Sequence, residues 1–300
     1  MYDQVAANKR RSVALIAVFI VLIVAIAWAF NLLIGYGVAG VLVALVIAII
    51  SSFAAYWKSD AVALRMSHAT PADPVEYARL HNVVEGLCIA AGLPKPRLYV
   101  IDDDAPNAFA TGRNPQHAAI AVTTGLLAKM NRVELEGVLA HELSHIKNYD
   151  ILVSTLAVTL VGVIALLSDW GLRSIFWGGG RRRDDNNNNG GQIFALLGFA
   201  LLIFTPIVAQ LMQFAVSRRR EALADVSGVT LTRYPPGLIS ALEKLKDDQT
   251  VVHSGSRATA HLWIEAPVAR TEEEGKLSRI GRLFDTHPPL EERIEALREL

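Results

Sequence analysis

Two long apolar segments lie close together near the N-terminus, at residues 13–33 and 38–56. As a helix, each is long enough to cross about 30 Å of hydrocarbon. Basic residues flank the outer ends of the pair, at residues 9–11 and at Lys58. This pattern predicts a transmembrane helical hairpin over residues 1–57, with both ends on the cytoplasmic side. A signal peptide has the same charge order, but the first segment is longer than the roughly 7–15 apolar residues of a signal sequence.

Two further apolar segments, residues 151–168 and 193–216, follow later in the chain. The polar, low-complexity sequence 181–191 separates them and predicts a disordered loop at about residues 178–192. Its three arginines would lie outside the cytoplasm if both segments crossed the membrane, against the positive-inside tendency. The pattern leaves open whether residues 151–216 span the membrane or pack on the rest of the protein, so two to four transmembrane helices are predicted.

The rest of the chain, residues 58–150 and 217–300, has the mixed polar and apolar pattern of a folded soluble domain. One predicted helix has a capping-box start, with Asn131 as the N-cap and Glu134 three residues later. The predicted helices are 73–91, 131–148 and a final helix that begins at Pro288-Pro289, and the predicted strands are 97–101, 107–111 and 118–123.

Composition supports membrane segments and excludes some kinds of site. Apolar residues make up 52% of the chain and its mean hydropathy is +0.33, which is too apolar for an ordinary soluble protein. Lys plus Arg and Asp plus Glu both number 29, so the overall charge gives no reason to expect a nucleic-acid partner. Cys88 is the only cysteine, which excludes an internal disulfide and a Cys-rich zinc site.

Residues 141–145 have the sequence His-Glu-Leu-Ser-His. In a helix His141 and His145 lie on one face, so both imidazoles can bind the same ion. Glu142 is rotated by about 100° from His141 and can contact a water near the ion without binding the ion itself. Zinc lowers the pKa of such a water to about 7, so Glu142 can act as general base near neutral pH. A chance match on an amphipathic helix is the weaker alternative, because the helix is predicted independently of the motif.

A catalytic zinc needs three protein ligands and one open position. The metzincin arrangement is excluded, because Asn148 and Ile151 stand where it requires Gly and His. Glu221, just after the fourth apolar segment, is the best third ligand, and Asp225 on the same helical face can accept the outer N–H of a ligand histidine. The alternative is that Glu221 only pairs with neighbouring arginines on a solvated face. The pattern predicts one Zn²⁺ per chain, bound by Glu221 and the two histidines.

This combination resembles the HtpX-type membrane metalloproteases, gluzincins that are related to the CAAX prenyl proteases. The resemblance covers nearly the whole chain, and Ala222 departs from it because many relatives have an aromatic residue after the ligand Glu. That departure puts the packing beside the metal in doubt. The matching features are the two apolar N-terminal segments, Pro106–Gly112, the His-Glu-Leu-Ser-His sequence, Ser217–Glu221 with Asp225, and His287–Pro289.

The resemblance implies an α+β membrane protein with a mainly α-helical, zincin-like catalytic domain and a small β-sheet. Residues 58–150 and 217–300 would form the two parts of that domain, with a hydrophobic helical hairpin at 151–216 between them. His287 and Arg293 would face the oxyanion of the tetrahedral intermediate. A substrate would add by β-augmentation to an edge strand at Asn107, Ala108, Phe109, Ala110 and Thr111. From the residues alone, an ordinary strand, a helix-start histidine and a solvated arginine stay open as alternatives.

The sequence therefore predicts a zinc metalloendopeptidase, multi-pass in the cell (inner) membrane, with its catalytic domain facing the cytoplasm. The expected partners are polypeptide substrates, membrane proteins among them, and the lipid bilayer, with no nucleic acid. The resemblance implies hydrolysis of misfolded or damaged membrane proteins and unfolded segments, in protein quality control and stress response. A zinc-binding adaptor is less favoured because structural zinc usually has a fourth protein ligand, commonly Cys. A transporter is less favoured because the apolar segments contain no ionisable residue.

Overall fold

Over the residues that the structure describes, the fold is mostly helical with one small mixed β-sheet, as predicted. The predicted loop at 178–192, the apolar segment 193–216 and His287 lie outside the described residues. A computed structural model describes residues 2–34, 37–157, 159–160, 218–248, 250, 252, 262–264 and 289–300. The helices are α1 (Tyr2–Ile34), α2 (Gly37–Met66), α3 (Ala78–Ala91), α4 (Thr124–Lys129), α5 (Arg132–Lys147), α6 (Arg218–Thr232), α7 (Pro235–Asp247) and α8 (Leu290–Arg298). The strands are β1 (Thr70–Pro71), β2 (Arg97–Ile101), β3 (Ala108–Gly112) and β4 (Ala118–Thr123).

The sheet has the strand order β1-β2-β4-β3, which places β3 at one edge. β4 pairs in parallel with β2 and antiparallel with β3, while β1 pairs antiparallel with β2. The predicted strands 97–101 and 118–123 are confirmed, and β3 begins one residue after the predicted start at Asn107. The β3–β4 turn requires glycine at position 112, where φ is +138° and a Cβ would lie 2.4 Å from the carbonyl oxygen of His117.

Helix α5 is the central element of the domain. It begins with the predicted capping box, in which the Asn131 side chain accepts the N–H groups of Val133 and Glu134, and Glu134 accepts the Asn131 N–H at 2.8 Å. Most residues of α5 are buried, because α3, α6, α7 and β3 pack around it. After α5 the helix is interrupted at Tyr149, whose φ is +62°, and helical structure resumes over residues 150–157.

Helix α3 begins at Ala78 rather than at the predicted start, Asp73. The Asp73 carboxylate accepts the N–H groups of Val75 and Glu76, which forms a separate turn ahead of the helix. The helix ends as predicted at Gly92, whose φ of +66° suits the left-handed position of a C-cap.

Three groups of buried apolar side chains hold these elements together. The largest lies between the sheet and helices α3, α5, α7 and α8. A second lies where α1 and α2 meet the residues that follow α5, and it includes Phe19 and Leu156. A third covers the other face of the sheet, where Phe109 packs edge-on against Trp263 with ring centroids 4.9 Å apart. The last turns of α2 belong to this third group, so α2 connects the N-terminal helices to the sheet.

Among the residues described, α2 is the one helix that is long and apolar enough to cross a membrane by length and composition. Its most apolar 18 residues have a mean hydropathy of 2.7. Many of its large apolar side chains are exposed, namely Val38, Leu42, Val43, Val46, Ile47, Ile49, Ile50 and Phe53. An exposed apolar surface of this kind marks a region that contacts lipid or another protein.

Candidate metal centre

The structure brings the three predicted metal ligands together between α5 and α6. His141 and His145 lie one turn apart on α5, and their Nε2 atoms are 3.1 Å apart. Glu221 on α6 faces both rings, with Oε2 3.6 Å from Nε2 of His141 and Oε1 3.6 Å from Nε2 of His145. His141 and Glu221 are buried, and His145 is partly buried. Two nitrogen atoms and one carboxylate therefore surround a common point.

These separations fit a small metal ion. Four ligands at 2.0–2.1 Å in a tetrahedron lie about 3.3–3.4 Å from one another, and the three observed separations span 3.1–3.6 Å. Two imidazoles and one carboxylate are also the ligand set of many catalytic zinc sites, which leave the fourth position open. Calcium and magnesium prefer oxygen ligands. The ligand set therefore favours a transition metal, with zinc as the best match.

Gly228 on α6 explains how Glu221 comes so close to the histidines. A Cβ at position 228 would lie 3.0 Å from the main-chain nitrogen of His141 and 3.2 Å from the carbonyl carbon of Ala140. The two helices therefore touch backbone to backbone at this point. Gly228 is not among the residues predicted from the sequence, although a glycine inside a helix costs about 1 kcal/mol relative to alanine and so indicates a packing reason.

A carboxylate lies beside the Nδ1 atom of each of the two histidines, on the side of the ring away from Glu221. Nδ1 of His141 lies 2.8 Å from Oδ1 of Asp225, and Nδ1 of His145 lies 3.1 Å from Oδ2 of Asp150. With Nδ1 occupied, each ring directs Nε2 towards Glu221. Asp225 thus lies beside His141, one of the two histidines that the sequence predicts as metal ligands. The contact of Asp150 with His145 was not predicted, because Asp150 lies beyond the interruption of the helix at Tyr149.

Burial and these carboxylates set the charges of the centre. Burial alone would lower the pKa of His141, but the carboxylates of Asp225 and Glu221 outweigh it and raise that pKa to about 9. The pKa of His145 is also raised, because Glu221 and Asp150 outweigh the effect of burial. Burial alone would raise the pKa of Asp225, but Arg293 and His141 lower it to about 2. Asp225 is therefore ionised at neutral pH.

Arg293 on α8 is buried beside this centre and binds Asp225 through two nitrogen atoms. Nε donates to Oδ2 at 2.8 Å and Nη2 donates to Oδ1 at 2.7 Å, a bidentate pair. Nη1 donates to the carbonyl oxygen of Ile264 at 3.4 Å, and Nη2 lies 3.4 Å from Nδ1 of His141. Its partner in the sequence prediction, His287, lies outside the described residues.

Glu142 and the predicted substrate strand also lie in this region. Glu142 follows His141 on α5, and only 3% of its surface is exposed. Burial alone would lower the pKa of Arg293, but the charges of Asp225, Glu221 and, to a smaller extent, Glu142 outweigh it and raise that pKa. β3 packs against α5, which carries the two histidines. The residues predicted to contact substrate, Asn107, Ala108, Phe109, Ala110 and Thr111, are all buried in this chain.

Comparisons with known proteins agree with this geometry. A histidine pair on one helix with a carboxylate from a second helix can hold a metal ion, and residues 74–300 match the model of peptidase family M48. The chain belongs to this family and is a metalloprotease, as predicted from its HtpX-type resemblance.

The relatives that match this chain over its full length include two Protease HtpX homologs. A Protease HtpX homolog of Streptococcus agalactiae is 47% identical over 302 residues, covering 100% of both chains. A Protease HtpX homolog of Caldanaerobacter subterraneus is 44% identical over 301 residues, covering 100% of this chain and 98% of the relative. The chain is also similar to the crystal structure of S. mikatae Ste24p. That structural alignment covers 99% of this chain and 67% of the Ste24p chain, with 18% sequence identity and a TM-score of 0.49.

Proposed function

We propose that this metalloprotease is a zinc-dependent endopeptidase anchored in a membrane. Its substrates would be misfolded or damaged membrane proteins and unfolded segments near the membrane, in protein quality control and stress response. The observation that carries the proposal is the convergence of His141, His145 and Glu221 on one point, with Glu142 next to it on the same helix. The substrate class rests on the HtpX-type resemblance, which the full-length relatives support.

In this proposal the protein groups orient the substrate and transfer the proton. Zinc, when bound, supplies the Lewis acidity that polarises the scissile carbonyl and acidifies a water molecule. Glu142 accepts the proton of the attacking water and delivers it to the leaving amine. Arg293 and His287 are proposed to face the oxyanion. In this structure the Arg293 guanidinium lies on the Nδ1 side of His141, where Asp225 and the carbonyl oxygen of Ile264 accept its N–H groups, so the proposal for Arg293 rests on the resemblance.

Membrane anchoring is supported by α2. Its exposed apolar side chains and its length suit a helix that crosses the hydrocarbon. α1 packs along α2 and contains the first apolar segment, which completes the proposed hairpin. Basic residues at the outer ends of this pair favour a cytoplasmic location for both ends, which would put the catalytic domain in the cytoplasm.

The proposed substrate strand is β3, whose outer edge pairs with no strand among the residues that the structure describes. Ala108 is opposite Val122, and the Thr123 N–H donates to the carbonyl oxygen of Asn107 at 3.0 Å. In an antiparallel strand pair, every second residue forms main-chain hydrogen bonds to the partner strand. The hydrogen bonds of β3 to β4 are therefore made by Asn107, Phe109 and Thr111.

Ala108, Ala110 and Gly112 therefore direct their main-chain groups to the outer edge of β3. The carbonyl oxygen of Ala108 accepts the N–H of Ile264 at 3.0 Å, and the Gly112 N–H donates to Oγ1 of Thr155 at 3.3 Å. Ala110 lies between these two contacts. We assign its N–H and carbonyl groups to the main-chain pairing with an extended substrate.

The test is cleavage of an unfolded casein-like substrate in detergent, with zinc content measured on the same samples. Glu142→Gln should lose cleavage by a factor of about 10²–10⁴ while it retains zinc, because a general base is removed and no ligand is. Glu136→Gln, a carboxylate change on the same helix, is the matched control and should cleave like wild type. Full activity in Glu142→Gln would show that the mechanism is wrong. Zinc binding without cleavage in both wild type and Glu142→Gln would instead favour the adaptor.

A further inference from the structure

Asn8 on α1 is fully buried and contacts the turn that follows the metal-binding helix. Its Nδ2 amide donates to the carbonyl oxygen of Asn148 at 2.8 Å and to Oδ1 of Asp150 at 2.7 Å. An amide NH₂ has two hydrogen atoms, so these two acceptors use both. The reversed amide would place its oxygen against two acceptors, so the hydrogen bonds determine the orientation of the group.

Asp150 connects Asn8 to the metal centre. One carboxylate oxygen of Asp150 accepts from Asn8, and the other lies 3.1 Å from Nδ1 of His145. Asp150 is 4% exposed, and Nη1 of Arg220 lies 3.6 Å from the oxygen that Asn8 binds. Two hydrogen bonds therefore separate a side chain of α1 from the ring of a metal ligand.

The position of Asp150 is not determined by α5 alone, because α5 ends before the break at Tyr149. α1 contacts this turn a second time, where the ammonium of Lys9 lies 4.7 Å from the ring centroid of Tyr149. Apolar side chains of α1, including Leu15 and Phe19, pack against the helical residues that follow Asp150. The N-terminal helix therefore supports the segment that carries Asp150.

We propose that Asn8 is a positioning residue of the metal centre, so that α1 contributes to metal binding besides anchoring the chain. By holding the Asp150 carboxylate, Asn8 sets the rotation of the His145 ring and thereby the direction of its Nε2. The inference rests on the proposed zinc site. It goes beyond that site because it assigns a role in metal binding to Asn8, which lies 142 positions before Asp150 in the sequence.

The experiment uses the full chain in detergent and compares wild type with Asn8→Leu and Asn8→Ala. Zinc affinity is measured by competition with a chromophoric chelator, and ligand geometry by the visible spectrum of the Co²⁺-substituted protein. Both variants should bind zinc roughly tenfold more weakly, which is the lower end of the effect of removing a direct partner of a metal ligand. The visible spectrum of the Co²⁺-substituted variants should also differ from that of wild type. A loss of folding alone would reduce the amount of bound Co²⁺ without changing its spectrum. Asn8→Ala adds no atoms, so it remains informative if Asn8→Leu does not fold.

Ser12→Ala is the matched control. Ser12 is buried one turn further along α1, and its hydroxyl donates to the main-chain carbonyl of Asn8 and not to its side chain. Its zinc affinity and Co²⁺ spectrum should equal those of wild type. Equal losses in the Ser12 and Asn8 variants would mean that α1 packing in general is responsible, and would overturn the assignment of Asn8.

A double-mutant cycle with Asp150→Ala tests whether Asn8 acts through Asp150. In the Asp150→Ala background, Asn8→Leu should cause little further loss of zinc affinity. Additive losses would show that Asn8 acts independently of Asp150 and would overturn the proposal. Wild-type zinc affinity and Co²⁺ spectra in the Asn8 variants would overturn this inference alone. A wild-type chain whose zinc binding does not depend on His141 would overturn the zinc site as well.

Discussion

Nδ1 of His141 lies 2.8 Å from Oδ1 of Asp225, and the same carboxylate accepts two hydrogen bonds from Arg293. Asp225 is ionised at neutral pH and accepts the Nδ1–H of His141, so the proton stays on Nδ1 in the neutral ring that metal binding requires. That tautomer leaves the lone pair of Nε2 directed towards Glu221 and His145. A chain of three side chains from α5, α6 and α8 therefore determines the direction of one metal ligand.

Asp225→Asn should lower zinc affinity about 10–100-fold, the usual cost of removing the charged partner of a ligand histidine. An asparagine would retain the shape of the side chain but place an uncharged amide against Arg293. Competition with a chromophoric chelator measures the affinity. Asp247→Asn, an exposed carboxylate at the end of α7, is the control and should bind zinc like wild type. Equal affinities for all three proteins would contradict the role of Asp225.

Arg293→Lys distinguishes two contributions of the guanidinium. Lysine retains the positive charge but cannot form the bidentate pair with Asp225, so zinc affinity and kcat should fall together. The measurement is a zinc titration together with kcat and KM at saturating zinc. A fall in kcat with unchanged zinc affinity would instead assign the guanidinium to the oxyanion alone. Arg293→Ala should also destabilise the fold, by about 3–5 kcal/mol, because it leaves the carboxylate of Asp225 buried without its partner.

Local signals in the sequence predict part of the centre. The two histidines are four residues apart on a helix whose capping box is visible in the sequence, so their common face follows from helix geometry. Glu221 could be proposed from the ligand set that zinc requires and from the resemblance to known proteases. The contacts of Asp150 and Asn8 could not be predicted. They depend on the interruption of the helix at Tyr149 and on the packing of two residues that are 142 positions apart in the sequence.

The same limit applies to the sheet. The β-rich composition of residues 97–101 and the apolar sequence 118–123 predicted β2 and β4, but the parallel pairing of β2 with β4 follows from long-range packing and not from either strand. β1 has only two residues, too few for a periodic pattern. The predicted start of α3 at Asp73 was wrong because the Asp73 carboxylate bonds the next main-chain N–H groups and forms a turn.

Zinc binding should release protons at neutral pH. Because the pKa of His141 in the metal-free protein is about 9, the ring is protonated at pH 7, whereas a ligand histidine must be neutral. Zinc affinity should therefore rise by about tenfold per pH unit for each displaced proton and level off above pH 9. Isothermal titration calorimetry in buffers of different ionisation enthalpy counts the protons. No proton release between pH 6.5 and 9 would contradict the raised pKa.

The same shift has the opposite effect on the metal-free fold. The folded-state pKa of His141 is above its ordinary value of 6.5, so its contribution to stability is complete below pH 6.5. That contribution should be lost as the pH rises through about 9. The thermal melting temperature of chelator-treated protein should therefore fall over this range, and excess zinc should reduce the fall. An equal decrease with and without zinc would assign it to other groups.

Ala110→Pro tests the proposed substrate edge. The N–H of Ala110 faces away from β4, so proline should remove no hydrogen bond within the sheet, and edge strands tolerate it. It would remove the donor that an extended substrate needs and place ring atoms on that edge. KM should rise while zinc affinity stays unchanged, as peptide cleavage assays and a zinc titration would show. An unchanged KM would exclude main-chain pairing at Ala110.

Gly228→Ala should weaken both the fold and the metal site. Alanine is favoured over glycine in a helix by about 1 kcal/mol, but overpacking typically costs about 1–3 kcal/mol. The Cβ would meet the backbone of His141 at 3.0 Å, and backbone atoms cannot rotate away, so the cost should exceed the gain. Displacement of α6 from α5 would also move Glu221 away from the histidines and lower zinc affinity.

Gly86→Ala on α3 is the matched control for Gly228→Ala, because a Cβ at position 86 meets nothing within 4 Å. It should raise the melting temperature slightly through helix propensity alone. Thermal melts with and without zinc, together with a zinc titration, compare the two variants. Equal stabilisation by both substitutions would show that α5 and α6 do not need backbone contact at Gly228. A loss confined to Gly228→Ala, in stability and in zinc affinity, would establish that this contact brings the third ligand to the histidine pair.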